Sequence, residues 1–346
     1  MNAIATPQFP LAAPDEVGLL GVFQLKRLWS RATAARRGAQ LGRNLEWHLD
    51  KLVIHALGLG LEQASQYLMQ RGPGFEEFEQ WILATTGGVA SGQIERINAL
   101  IAGAPMPEAT RRRIAAIEAS APVLSAADLE DWERDGYVIL RSAVSPEESA
   151  AAAQAVWDHL NARADDPDSW YRQRNNGVMV QYFQHPAFTA TRASARIHKA
   201  FAQLWGSADL WTTTDRCGFN VPERDGWRFP GPDLHWDVSI AQPIPFGTQD
   251  ILYLTDTLPE QGALTVVPGF QHRVGEWLKS LPAGADPRQQ NMHALGPRAL
   301  GANAGDLIIW HQALPHGASP NRASVPRLVQ YIDMYPARVE INDTWL

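Results

Sequence analysis

Hydrophobic and polar positions follow two different periods along the chain. In the first 120 residues apolar side chains recur at three- and four-residue steps, as at Leu49, Leu52, Val53, Ala56 and Leu57, which is the stripe of an amphipathic helix. The spacing predicts a helix over 49–67, weakened in its middle by Gly58 and Gly60, and further helices over 93–101 and 108–119. Beyond residue 205 the period becomes two. The runs 251–256, 263–267, 306–310 and 327–333 are short, rich in β-branched and aromatic residues, and bounded by Gly, Pro or Asn. Pro259 to Gly262 joins the first two at hairpin length. Several short strands with turns between them indicate a jelly roll or barrel rather than βαβ units.

Small residues and Pro122 mark a linker over about 120–127, so the expected organisation is a helical region 1–120 and a β-rich domain 121–346. Ser125 with Asp128, and Ser145 with Glu148, read as capping boxes, and Pro146 occupies a first helical position where its missing N–H costs nothing. A helix should follow over 146–160, with a strand over 137–140 ahead of it.

Composition narrows the function. With 45% hydrophobic residues and 13 Trp in 346, the chain can bury a core and is not disordered. A formal charge of −7 argues against sequence-independent nucleic-acid binding, which requires a cationic face. Lys26, Arg27, Arg31, Arg36, Arg37 and Arg43 place a basic face on the first helix, read as a solvated surface. Cys217 is the single cysteine, so no internal disulfide or cysteine zinc cage can form. It reads as buried and inert. There is no basic leader followed by an apolar core, and no apolar run reaches the roughly 18 residues of a membrane span. The expectation is a cytoplasmic protein that binds a small molecule, without membrane or nucleic acid as partner.

The chemistry centres on His235-Trp236-Asp237. On a strand, residues i and i+2 share a face, so an imidazole and a carboxylate converge. A third ligand from a neighbouring strand would complete a two-histidine, one-carboxylate triad, which leaves three adjacent corners of an iron(II) ion open. A second His-x-acid pair, His48 and Asp50, lies in a helical pattern where the two side chains diverge. Downstream, His316 follows a predicted strand 79 residues after Asp237, and Arg327 opens the next strand 11 residues later. A hairpin there would bring a guanidinium near the metal, where its fork grips a carboxylate through two bonds. His311 is the rival ligand to His316, but one strand running through both would point them to opposite faces. Arg322 is the alternative anchor to Arg327. Trp236 must point away from the metal, and His272 should cap a turn.

The segment from Asp128 to Ala337 resembles the phytanoyl-CoA dioxygenase family, within the Fe(II)/2-oxoglutarate oxygenases. The resemblance rests on the stretch from Trp132 to Leu140, then His235-Trp236-Asp237, Gly262 to Gly269, Gly305 to Trp310, His316 to Asn321, and Pro326-Arg327. It implies an α+β fold: a double-stranded β-helix (jelly-roll, cupin-like) core flanked by helices, behind an α-helical N-terminal extension of open role. It implies that His235, Asp237 and His316 bind Fe(II) and that Arg327 holds the distal carboxylate of 2-oxoglutarate. Tyr253 falls where the family often has a Trp near the cosubstrate, and Asn220 where a polar residue often lines the pocket. Gln181 and Tyr182 lie in a segment that shapes the pocket. Arg216, Arg224 and Arg228 crowd the approach to the metal motif, where an anionic substrate would be received. The implied reaction consumes O2 and 2-oxoglutarate, releases succinate and CO2, and hydroxylates an unactivated C–H bond. Asp237 favours hydroxylation over halogenation, with desaturation or cyclisation left open. One departure is Ala318, where the family usually has Ser, with Ser319 next. The rival readings are a zinc-dependent cupin-like hydrolase or isomerase and a non-catalytic small-molecule-binding barrel.

Overall fold

The computed structural model describes residues 10–42, 44–172, 177–342 and 344–346. The chain divides into two compact units. One comprises residues up to Ala119 together with Trp211–Asp215, and the other comprises Ser120–Leu210 and Arg216–Leu346.

The first unit is helical, with helices at Leu25–Arg36, Trp47–Ala56, Leu61–Gln66, Phe75–Thr86, Ser91–Ala102 and Glu108–Ala119. The single helix expected over 49–67 is two. Leu57 ends the first, and Gly58 adopts a left-handed φ of 75° that a helix cannot contain. The basic face of the first helix is substantially paired within the unit. Arg27 and Arg31 meet Glu46 at 2.7 and 2.8 Å, and Arg31 also lies 3.6 Å from Asp50. The Arg27 hydrogen bond is the largest cause holding Glu46 down at about 2. Arg43 lies outside the described residues. Asp50 accepts hydrogen bonds from Gln24 and Asn44.

The second unit is α+β, with helices packed on antiparallel sheets. Its opening helix, Ala126–Asp135, and the helix Pro146–His159 both begin with reciprocal capping boxes, at Ser125/Asp128 and Ser145/Glu148. Among the described residues eleven strands run β1 (Tyr137–Leu140), β2 (Met179–Val180), β3 (Leu210–Thr212), β4 (Cys217–Asn220), β5 (Thr248–Tyr253), β6 (Leu264–Val266), β7 (Arg298–Leu300), β8 (Leu307–His311), β9 (His316–Gly317), β10 (Arg327–Gln330) and β11 (Met334–Pro336). Six of them form a sheet ordered β1-β8-β5-β10-β4-β2, and β7-β6-β9 form a smaller one.

Alternation sorts the large sheet into two faces. Leu252, Leu307, Ile309, Leu328, Cys217 and Phe219 join a core with Val156, Phe188, Ile197 and Phe201 of the helices. Their strand neighbours Ile251, Tyr253, Ile308, Trp310 and Val329 point the other way. They share a second core with Leu264, Val266 and Leu300 of the small sheet. Functional side chains on this second face therefore look into the space between the sheets.

Two local expectations are corrected. Pro259–Gly262 does not close a hairpin, because β5 belongs to the large sheet and β6 to the small one. The connection from His316 to Arg327 likewise crosses from β9 to β10 in different sheets. Turn length was compatible with hairpins, but burying both inner faces requires the chain to change sheets at these points.

Candidate metal centre

The two histidines are brought together by the backbone. His235 and His316 form an antiparallel bridge, each N–H donating to the other's carbonyl at 2.9 and 3.0 Å. Opposed residues of such a pair carry their side chains on one face, and the imidazole centroids lie 4.7 Å apart. The approach is close enough that Gly317 cannot be replaced freely, since a Cβ there would stand 2.6 Å from the Asp233 carbonyl oxygen. Two residues beyond His235, Asp237 turns its carboxylate toward both rings, with Oδ1 3.4 Å from His235 Nε2 and Oδ2 3.2 Å from His316 Nε2. Ligand atoms of all three residues lie within 4.8 Å of one another.

The other ring nitrogens settle the tautomers. His235 Nδ1 lies 2.7 Å from the Asp233 carbonyl, and His316 Nδ1 lies 3.2 Å from that of Leu314. A carbonyl only accepts, so Nδ1 carries a proton in both rings and Nε2 is the nitrogen turned to the common point. Neighbouring protein atoms push the Asp237 pKa up, but the two imidazoles outweigh them and hold it well below the usual carboxylate range. Desolvation pushes His235 down. The Asp237 carboxylate and the Asp233 carbonyl overturn this and leave it raised.

Arg327 occupies the same inter-sheet face as Val329 and is almost wholly buried, at 1% exposure. Its Nε and Nη2 have no hydrogen-bond partner. Asn220 is its register partner on β4, also fully buried, with Oδ1 unpartnered while Nδ2 donates to the carbonyls of Ser319 at 2.9 Å and Gly262 at 3.3 Å. Gly262 is constrained twice, by a φ of 67° and because its Cβ would fall 2.2 Å from Asn220 Nδ2. Tyr253 is fully buried. Its hydroxyl donates to the Leu300 carbonyl and accepts from Leu264 N–H, each at 2.9 Å. Burial raises its pKa, and the nearby Arg327 guanidinium works against that rise. A buried cation with two free donors leaves a large unmet cost unless an anion meets it.

The remaining candidates separate. His311 ends β8, while His316 stands on another strand of another sheet, so the two never share a strand. The His311 ring packs against Trp132 and Phe246, accepts the Ala313 N–H, and is driven down to about 4, mainly by burial. Arg322 is exposed on the connecting loop. Arg224 is engaged over the Tyr171 ring at 3.4 Å and with Asp168 at 3.2 Å, and Arg228 is exposed. Arg216 and Gln181 flank the β4–β2 pair at its Cys217 end. Extending the strand alternation by one residue puts both on the face that carries Asn220 and Arg327. Tyr182 stacks on His159 with centroids 4.0 Å apart. The Ser319 hydroxyl is spent on the Ala263 carbonyl at 3.0 Å. Trp236 is buried with its indole N–H on the Ala313 carbonyl, Cys217 is fully buried, and His272 closes a short helical turn with Nε2 2.6 Å from the Glu133 carbonyl.

Sequence reasoning missed Gln249. Its Nε2 donates to Asp237 Oδ2 at 2.6 Å, and its Oε1 accepts the Trp310 indole N–H at 3.1 Å. The available signal was a polar residue at an inward position of β5, in phase with Ile251 and Tyr253.

A family model and a curated relative carry the same description. The family model described as phytanoyl-CoA dioxygenase matches residues 132–329. A Dictyostelium discoideum protein that carries the phytanoyl-CoA dioxygenase name is 20% identical over 260 residues, covering 60% of this chain and 74% of its own. Among solved structures, iron-bound EctD from S. alaskensis is 22% identical with a TM-score of 0.46, covering 64% of this chain and 81% of its own. HygX from Streptomyces hygroscopicus, with nickel and 2-oxoglutarate bound, is 14% identical with a TM-score of 0.45, covering 62% and 87%. Among the described residues no helix is long and apolar enough to cross a membrane.

Proposed function

The chain belongs to the phytanoyl-CoA dioxygenase family of Fe(II)/2-oxoglutarate oxygenases, and from that premise we propose that it hydroxylates an unactivated C–H bond of a small molecule. In this reading the two facing sheets are the halves of a double-stranded β-helix. His235, Asp237 and His316 hold the iron, and Arg327 anchors the far carboxylate of 2-oxoglutarate. The observation that carries the proposal is the buried, half-unpartnered guanidinium of Arg327 on the inner face of the large sheet, together with the His235, Asp237 and His316 cluster built on the small sheet's strand β9.

The donor set fits the metal. Two neutral imidazoles and one carboxylate suit a borderline divalent ion and leave corners free for small molecules. Bound there, iron(II) with 2-oxoglutarate and O2 supplies C–H oxidation, with succinate and CO2 as the other products. The protein's own part is positional. Asp233 and Leu314 carbonyls hold the Nδ1 side of each ring, so Nε2 is the nitrogen turned toward the metal. Asn220 and Tyr253 are buried beside Arg327, where a carboxylate would gain far more from the guanidinium than it would in water. Arg216 and Gln181 stand on the same face and are proposed to meet the substrate, with Arg216 favouring an anionic group. A zinc hydrolase needs no such buried guanidinium, so that reading leaves Arg327 unexplained.

The test is anaerobic addition of Fe(II) and 2-oxoglutarate to the metal-free protein. A weak visible charge-transfer band is expected, absent in His235→Ala. Arg327→Met should keep metal binding and raise the 2-oxoglutarate concentration required by at least tenfold, since a charge-assisted hydrogen bond is worth about 1.5–3 kcal/mol. No band in the intact protein would overturn the proposal.

A further inference from the structure

Gln249 is gripped from both sides. Its amide nitrogen meets Asp237 Oδ2 at 2.6 Å and its amide oxygen meets the Trp310 indole N–H at 3.1 Å. An indole nitrogen can only donate, so the carbonyl end of Gln249 must face Trp310 and the NH2 end must face the carboxylate. The amide therefore cannot flip to present an acceptor to Asp237. Gln249 and Trp310 are register partners on β5 and β8, so sheet pairing holds them side by side. The same Trp310 ring packs against His316 with centroids 5.1 Å apart.

We infer that Gln249, set by Trp310, is a positioning residue that keeps Asp237 a one-oxygen ligand; this rests on the metal reading proposed above. A carboxylate can bind a cation through one oxygen or two. If both oxygens of Asp237 bound, one of the corners needed for the cosubstrate or O2 would be filled. A short, charge-assisted hydrogen bond occupies a lone pair on Oδ2 and stops the carboxylate rotating about its Cβ–Cγ bond. The device is anchored in paired strands and not in a loop, which suits a group that must hold its aim. Trp310 serves two ligands at once, through its N–H to Asp237 by way of Gln249 and through its ring to His316.

The experiment measures Co(II) affinity by calorimetry and the visible Co(II) spectrum, which reports coordination number, for the intact protein, Gln249→Met, Trp310→Phe and His235→Ala. Gln249→Met keeps the side-chain length and removes the donor; Trp310→Phe keeps a ring against His316 and removes the indole N–H. The dissociation constant of Gln249→Met should rise about 10- to 100-fold, the range seen when partners of metal ligands are removed. Its spectrum should move toward higher coordination, and Trp310→Phe should move both readouts the same way by less. Unaltered affinity and spectrum in a folded Gln249→Met overturn the inference and leave the metal site standing. If Gln249→Met does not fold, Trp310→Phe decides alone by the same criteria. An intact protein that binds Co(II) no better than His235→Ala overturns the metal reading and the inference together.

Discussion

At the residue scale, the site is governed by which atoms carry protons. In the metal-free protein the raised pKa of His235 lies above the ordinary imidazole value of about 6.5. A metal must displace that proton, so its apparent affinity should fall as pH drops through the His235 pKa, by at least about one decade per pH unit. Calorimetric titration from roughly pH 5 to 8 checks this, and an affinity flat across that window would contradict it. The stability of the metal-free protein runs the other way. A histidine whose folded pKa is raised contributes stability that is complete below its unfolded pKa and is lost as pH rises through the folded value. The pairing of His235 with Asp237 is legible in the sequence as a His-x-Asp motif, but the strand expected to carry both does not form: His235 makes an isolated bridge and Asp237 lies in a bend. Gln249 is not legible, because its partner lies 12 residues earlier, on a segment that the sequence does not place beside β5.

At the scale of elements, alternation and capping are local, and the sequence shows them plainly. The boxes at Ser125 and Ser145 and the strands around Ile251 and Ile308 all follow from side chains within a few residues, whereas Gly58 read only as a weak point in one helix that the structure divides in two. Strand pairing is different. Pro259–Gly262 has the length of a hairpin, yet it moves the chain between sheets, because which inner face Leu264 and Val266 must cover is decided by residues far along the chain. The narrow passage at Gly317 belongs to this scale as well. Gly317→Ala would press a methyl group into the Asp233 carbonyl and spread the His235–His316 bridge. A loss of about tenfold or more in metal affinity with an intact far-UV spectrum is expected, since ligand geometry tolerates little displacement. Unaltered affinity would show that the bridge does not set the ligand spacing.

At the scale of the whole molecule, the family match begins at Trp132, inside the first helix of the second unit, and of the first unit it takes in only Trp211–Asp215. The change of hydrophobic period near the middle of the chain makes the helical and β-rich halves readable. The return of Trp211–Asp215 to the first unit is not readable, because that short segment carries no periodic signal of its own. Charge and composition likewise exclude broad classes without naming a substrate. The proposed substrate contacts, Arg216 and Gln181, depend on the sheet face they occupy, which composition does not register.

The most direct measurement is anomalous diffraction at the iron edge from crystals grown without oxygen in Fe(II) and 2-oxoglutarate. One strong peak is expected within bonding distance of His235 Nε2, His316 Nε2 and the Asp237 carboxylate, with the far carboxylate of 2-oxoglutarate on Arg327. A peak elsewhere, a His316 ring turned away from it, or a cosubstrate held by Arg322 would contradict it.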